Sequence, residues 1–467
     1  MKCAICDSET WKSLDHLRDA EYWWKIDRLP LDKPVGFMMC LKCGFLTYDL
    51  YESEQSIKDF YRTKYRSAVS PMNHVTCNRK NSYHKTFLDS EFKQWAKEGK
   101  SFMDVGCAQG SFLAFLRDDY GFKNENLAGT EWTIGFRSFA TKELGLNVTE
   151  DWSQTRKFDV ISMYRVLEHV WEPNKKLAQL RDLLNDGGYL YISVPVWLGL
   201  LEDPPGAYTN DFENLFHVNH CQVFTEKTIE QLYAKIGLKI VKRDTTIYGH
   251  TALLQKCDPQ GLTFDADYPA SVEKDVATVK KAVSLLAEGR PGEAAQIWPN
   301  FPDAWCAFAQ HKENGRDREL MSAVLKQGLK ATNDHVKVII ALGLMNLQFG
   351  GGNRGQPEYT NSIREAEKWL RKALKLRAGE DILHSLAVVE YVYKKNEEEA
   401  VRLWKEVVKM NPMKYGECWS FIGHVRGGMA LPQPKREHLE RPAPTPVTMV
   451  VQPKLQGLAE SMGAKQA

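Results

Sequence analysis

The residues of this chain that could do chemistry fall in three places. Cys3-x2-Cys6 and Cys40-x2-Cys43 put four of the ten cysteines within the first 43 residues. Two such knuckles can present four thiolates tetrahedrally to zinc. The glycine in "CLKCGF" suits a tight turn whose amides point at sulfur. A closed four-thiolate site has no open coordination position, so its expected part is in folding rather than catalysis.

The second place is "MDVGCAQGSF", with Asp104, Gly106, Cys107 and Gly110. A dinucleotide loop would carry G-x-G-x-x-G, its amides cradling a pyrophosphate at a helix N-terminus. Here the glycines are spaced G-x-x-x-G, with Ala108 between them and Asp104 just before. Asp104 is a poor neighbour for a pyrophosphate and a good one for a cationic ligand. Glu131 follows Gly106 by 25 residues at the end of a second strand-like run. That is close to the separation expected for an acid gripping ribose hydroxyls, which it would accept as charge-assisted hydrogen bonds. Glu150 or Asp151, after a third short strand, could accept from an adenine amino group, and Trp132 and Trp152 could supply a flat apolar surface. The third place is "DFENLFHVNHCQVF", holding Glu213, His217 and His220. Its H-x2-H-C spacing has the look of a metal site, but no further ligands lie nearby in sequence.

These groups need a scaffold. From residue 101 to about 256, "SFMDVG", "NLAGTEW", "FDVISMY" and "GGYLYISVPV" are strand-like and alternate with helical stretches such as "SFLAFLRDD" and "NKKLAQLRDLL". This is the signature of a doubly wound parallel sheet. The helix "TEKTIEQLYAKIG", the strand "LKIVKRD" and "HTALLQKC" predict an antiparallel hairpin on one edge. Residues 54 to 98 read as amphipathic helices. After about residue 270 strand patterns stop. "AEKWLRKALKL" and "AVRLWKEVVKM" are offset by 34 residues, matching Ala366 with Ala400 and Leu370 with Trp404; that is the period of the tetratricopeptide helix pair. "LPQPKREHLERPAPTP" begins a tail too poor in apolar residues to order itself.

Composition narrows the class. The chain is 43% hydrophobic and 26% charged, with a formal net charge of +2. No global charge points to nucleic acid or an anionic membrane. The N-terminus lacks the apolar core of a secretory signal, and no apolar run approaches the roughly 18 residues that span a bilayer. A cytoplasmic protein is expected, with cysteines as thiols or metal ligands before disulfides.

"MDVGCAQGSF", "LAGTEW", "FDVISMYRVLEHV" and "LLNDGGYLYISVPV" resemble the successive motifs of class I S-adenosylmethionine-dependent methyltransferases. Together with "FHVNHCQVFTEKTIEQLYAKIGLKIV", they are similar to the subfamily carrying an N-terminal four-cysteine zinc module, which includes deoxysugar C-methyltransferases. The resemblance covers residues 1 to 256. It implies a Rossmann-like seven-stranded α/β sheet with its last strand inserted antiparallel, S-adenosylmethionine as methyl donor, and structural zinc at Cys3, Cys6, Cys40 and Cys43. By motif, Asp104, Gly106, Cys107 and Gly110 surround the methionine end of the donor; Glu131 binds its ribose, with Trp132 and Asp151 beyond. Ala108 departs from the commoner glycine. A histidine of the loop ahead of "FTEKT" is implied as base, hence His217 or His220, with Glu213 beside them. Such a base is required only if the acceptor carries a proton that must leave. Glu168 and His169 are expected to shape the donor pocket rather than act chemically, and Tyr61 and Tyr65 to close over the site.

The expected organisation is a zinc-binding module (1–53), a helical connector and cap (54–100), the methyltransferase domain (101–258), all-α tetratricopeptide-like repeats (270–430) and a disordered tail (431–467). The expected acceptor is small and polar, a sugar or nucleotide-sugar methylated on carbon or oxygen. The repeats, where the resembling sugar enzymes carry a further α/β module, leave two other readings open. One is methylation of a protein, carrier-bound glycan or other macromolecule that the repeats recruit; the other is a non-enzymatic scaffold.

Overall fold

In a computed structural model, the described residues are 1–17, 36–49, 54–63, 71–151, 156–196, 220–244, 249–311, 314–349, 357–376, 379–411 and 418. They form two compact units, Met1–Ala277 and Thr278–Ala467.

In the first unit, β1 (Trp11–Ser13), β2 (Gly36–Cys40) and β3 (Leu46–Asp49) pair antiparallel. The fourth member of that sheet, β9 (Gln222–Val223), arrives from far along the chain and pairs with β3 through Leu46–Val223 and Thr47–Gln222. The larger sheet takes β4 (Phe102–Val105), β5 (Leu127–Thr130), β6 (Val148–Thr149), β7 (Phe158–Tyr164), β8 (Leu184–Val194), β10 (Leu238–Asp244) and β11 (His250–Lys256). Its order is β10-β11-β8-β7-β4-β5-β6. Neighbours from β8 to β6 run parallel, and β11 enters antiparallel to both β8 and β10. This is the Rossmann-like seven-stranded methyltransferase fold, edge hairpin included.

The strands are apolar almost throughout because both faces of the sheet are covered. Along β4 and β7 successive side chains alternate between two cores. Phe102 and Val160 join Phe92, Trp95, Phe112 and Tyr191 on one face; Met103, Ile161 and Met163 join Leu177, Leu180, Ile229 and Leu232 on the other. The covering helices are α1 (Glu54–Thr63), α2 (Pro71–Lys97), α3 (Ser111–Tyr120), α4 (Ile134–Lys142), α5 (Pro173–Asp182) and α6 (Glu226–Ile236). A capping box between Thr225 and Thr228 starts α6, and left-handed Gly237 (φ 78°) ends it.

The helix α7 (Tyr268–Ala287) runs across the division between units. At its start, the Tyr268 hydroxyl donates to Thr225 Oγ1 at 2.8 Å. The second unit holds α8 (Pro291–Ile297), α9 (Pro302–Gln310), α10 (Arg318–Ala331), α11 (Val336–Gln348), α12 (Pro357–Leu376), α13 (Glu380–Val388) and α14 (Glu397–Met410), with no strand among its described residues. Ala366 and Leu370 on α12 and their offset partners Ala400 and Trp404 on α14 are all buried. The 431–467 tail lies outside the described residues. Among those described, no helix is long and apolar enough to cross a membrane.

Candidate active site

The turn after β4 is left-handed three times, at Gly106 (φ 66°), Ala108 (φ 49°) and Gly110 (φ 80°). A methyl on Gly106 would lie 2.6 Å from Val166 Cγ2, and one on Gly110 would lie 2.7 Å from Leu146 Cδ1. Both glycines are therefore required by backbone hand and by packing against the protein itself. Ala108 pays the left-handed penalty that a glycine would avoid. The Cys107 amide donates to Thr130 O at 2.9 Å, tying the turn to β5. The Cys107 thiol is buried, with its pKa well above the ordinary value through burial and the charges of Asp104 and Glu131. No side chain among the described residues caps the start of α3, so its first amides remain as a positive end. Beside them, the buried Gln109 Oε1 has no hydrogen-bond partner among the described residues.

Asp104 ends β4 almost fully buried and accepts from Ser162 Oγ at 2.6 Å. Burial pushes its carboxyl up to about 7, with Glu131's charge adding to the rise and the Ser162 bond opposing it. Glu131 follows β5, and its two oxygens accept from the Ala108 amide (2.8 Å) and the Thr133 amide (2.7 Å). Its pKa is raised by burial against those hydrogen bonds. A carboxylate has about four lone-pair sites, so capacity remains for a ligand's hydroxyl.

Trp132 Nε1 donates to Asp151 Oδ1 at 3.2 Å, Lys58 pairs with the other Asp151 oxygen, and Lys58 Nζ lies 5.5 Å from the Trp132 ring centroid. Burial disfavours the Asp151 anion, but the Lys58 and Trp132 hydrogen bonds hold its pKa below the ordinary value. Glu150 instead meets Arg137 at 3.2 Å and Arg62 at 3.4 Å. Of the two acids after β6, Asp151 is thus the one joined to Trp132. Lys58, Tyr61 and Arg62 all lie on α1, and Tyr61 O accepts from Thr133 Oγ1 at 3.0 Å; α1 lies against this end of the cleft.

At the end of β7, Arg165 is left-handed (φ 59°), and the chain turns into a short 3-10 segment, Leu167–His169. That turn brings together Glu168, His169 and His220, one ligand atom of each lying within 4.8 Å of the others. Glu168 is 1% exposed. Burial raises its pKa although His169 and Arg165 oppose the rise. Tyr61 OH is 2.9 Å from His169 Nδ1, and the His169 and His220 rings are 4.8 Å apart. His220 thus has partners that its sequence neighbourhood does not disclose. Glu213, His217, Trp152 and Tyr65 lie outside the described residues.

The four N-terminal cysteines also converge. Their sulfurs lie within 4.8 Å of one another, with Cys3–Cys43 and Cys6–Cys40 at 3.5 Å. Hydrogen bonding with Cys3 and Cys40, reinforced by burial, pushes the Cys43 thiol up. Gly44 turns left-handed (φ 71°) just after Cys43, and its amide donates to Cys40 O at 2.9 Å.

Sequence reading missed Ser162, Lys58 and Arg137, polar residues without a motif. It also missed Val166, whose side chain is what Gly106 makes room for.

Residues 80–243 match a family model described as a methyltransferase domain. The mitochondrial ubiquinone biosynthesis O-methyltransferase of Candida albicans is 42% identical over 48 residues, 10% of this chain; the match spans about 15% of that protein. Among solved structures, an S-adenosylmethionine-dependent methyltransferase from Clostridium acetobutylicum is similar, at 13% identity over 38% of this chain and 92% of that one, with a TM-score of 0.30. So is the magnesium protoporphyrin IX methyltransferase from Synechocystis with bound SAH, at 16% identity over 43% and 98%, with a TM-score of 0.31.

Proposed function

From a methyltransferase domain over residues 80–243, we propose that the chain transfers a methyl group from S-adenosylmethionine to a small polar acceptor, a sugar or nucleotide-sugar, on carbon or oxygen. The observation that carries this reading is Glu131. Its carboxylate joins the β4 turn to the β5 end through the Ala108 and Thr133 amides and keeps acceptor capacity for a ribose hydroxyl.

The residues fit the donor. Asp104 and the orphaned Gln109 Oε1 offer acceptors for a cationic amino-acid end; the open amides of α3 suit its carboxylate. Trp132, Asp151 and α1 bound the adenine side. Bound there, S-adenosylmethionine supplies a methyl group on a positively charged sulfur. The chain's own part is then to align acceptor and donor, since positioning accounts for much of the acceleration of an in-line displacement. Any proton leaving the acceptor falls to the histidine loop, with His217, Glu213 and His220 as the candidate set. Zinc at Cys3, Cys6, Cys40 and Cys43 would fix β2 and the N-terminal knuckle as a structural site, in a protein that works in the cytoplasm.

The helical second unit supports a further reading, in which its repeat-like helices hold a protein or peptide that is methylated or that delivers the acceptor. Incubation of the full chain with methyl-labelled S-adenosylmethionine and a set of nucleotide-sugars separates the two. Label in a nucleotide-sugar is expected; label found only in co-purifying protein would replace the first reading with the second.

A further inference from the structure

We propose that Glu168, His169 and His220 form a second metal site, a three-ligand site for a divalent cation of the zinc class whose open position faces the acceptor. The proposal rests on the methyltransferase reading only for what the open position would hold.

Three observations converge on it. The first is the donor set. Two imidazoles and one carboxylate within 4.8 Å are the ligands of an open catalytic zinc site, which keeps its fourth position for water or substrate. The second is an orphan. Glu168 is 1% exposed, yet its Oε2 has no hydrogen-bond partner among the described residues. None of the neighbouring Arg165, Lys80 and His169 supplies a hydrogen bond to Oε2. A buried carboxylate oxygen left unpaired is costly, and a coordinated cation removes that cost.

The third observation is geometric. His169 Nε2 lies 3.9 Å from Glu168 Oε1, too far for a hydrogen bond. Two ligands held at about 2.0–2.1 Å by one tetrahedral ion sit roughly 3.4 Å apart, so this pair needs to close by only about half an ångström. His169 is already oriented for it. Its Nδ1 is engaged by the Tyr61 hydroxyl at 2.9 Å, which leaves Nε2 to coordinate, the usual outer-shell arrangement of a metal-bound histidine. The backbone supports the same placement. Cys221 Sγ contacts Glu168 O at 3.4 Å, and Gln222 Nε2 donates to Val170 O at 3.1 Å, so residues 220–222 are fastened to the turn that carries the other two ligands.

The site also adjoins the proposed donor turn. Val166, two residues before Glu168, packs on Gly106 of the β4 turn. A divalent cation of this class there polarises an oxygen ligand and lowers the pKa of a bound hydroxyl. The acceptor class is therefore one presenting a hydroxyl or carbonyl oxygen next to the carbon or oxygen that is methylated. With His220 as a ligand, the base is left to His217 or Glu213.

The test is a zinc titration of the full chain against a chromophoric chelator, with S-adenosylhomocysteine binding measured in parallel by calorimetry. Wild type is expected to take up two equivalents, one at the four cysteines and one here. E168Q and H220N should each lose the second equivalent or bind it about 100-fold more weakly. Y61F should weaken it by about tenfold, the lower end of outer-shell effects. Far-UV circular dichroism should be unchanged in all four proteins, which shows that the variants are folded. Uptake of a single equivalent by wild type, or a second equivalent unchanged in both E168Q and H220N, would overturn the site. Absence of nucleoside binding with a two-to-one metal count would instead overturn the methyltransferase reading and leave the metal site standing.

Discussion

Glu131 carries two separable burdens, one in the protein and one toward a ligand. Its oxygens hold the Ala108 and Thr133 amides, and its remaining lone pairs are offered to the ribose. E131A is expected to weaken donor binding by about 1–3 kcal/mol, the scale of lost charge-assisted hydrogen bonds, as read by calorimetry. Asp104 gives a pH dependence. Its carboxyl stands at about 7 because burial and Glu131 disfavour the anion, whereas a positively charged donor binds that anion best. Donor binding should therefore release a proton, and affinity should rise by up to about tenfold per pH unit below 7 and level off above it. Titrations in buffers of different ionisation enthalpy read that proton directly. S162A, which removes the bond that lowers the Asp104 pKa, should move the inflection upward. For the unliganded protein the sign reverses. Between the ordinary carboxyl value and about 7 the folded state holds a proton that the unfolded state has lost, so this group's contribution to stability falls as pH rises through that window.

At the scale of elements, the turn between β4 and α3 is the most constrained segment of the site. G106A would force a methyl to 2.6 Å from Val166 Cγ2 at a φ of 66°. It should cost about 1–3 kcal/mol of stability in chemical denaturation, and G106A/V166A should recover the part due to the clash but not the part due to backbone hand. Much at this scale was legible beforehand. The parallel strands read as unbroken apolar runs because both faces are covered, and the edge hairpin was marked by the successive strand-like runs "LKIVKRD" and "HTALLQKC". Two other features were not legible. β9 is two residues long and pairs with β3 across more than 170 positions, too short for a periodicity to show. Glu168 and His220 are 52 positions apart, and only the left-handed Arg165 and the contacts of residues 220–222 bring them to one turn. The glycines of the loop were found from their spacing; that the backbone turns left-handed there, and that Val166 and Leu146 leave no room for a side chain, follows from a packing no local pattern encodes.

On the scale of the whole molecule, the boundary at Ala277 falls within α7. The start of that helix belongs to the first unit, since Tyr268 reaches Thr225 and its ring would lie 3.0 Å from a methyl on Gly44. A truncation at 260 would strip those contacts; one after Glu288 keeps them. The chain ending at 288 is expected to retain donor binding within about a factor of three, whereas the one ending at 260 should be measurably less stable to heat. If methylation of nucleotide-sugars also survives in the longer fragment, the helical unit serves delivery or docking rather than chemistry. The central claim, that residues 80–243 hold S-adenosylmethionine at the β4 and β5 ends, is tested most directly by calorimetric titration of the full chain with S-adenosylhomocysteine. The expected result is one nucleoside per chain, with binding lost or markedly weakened in E131A; no measurable binding to the wild-type chain, or equal binding to E131A, would contradict it.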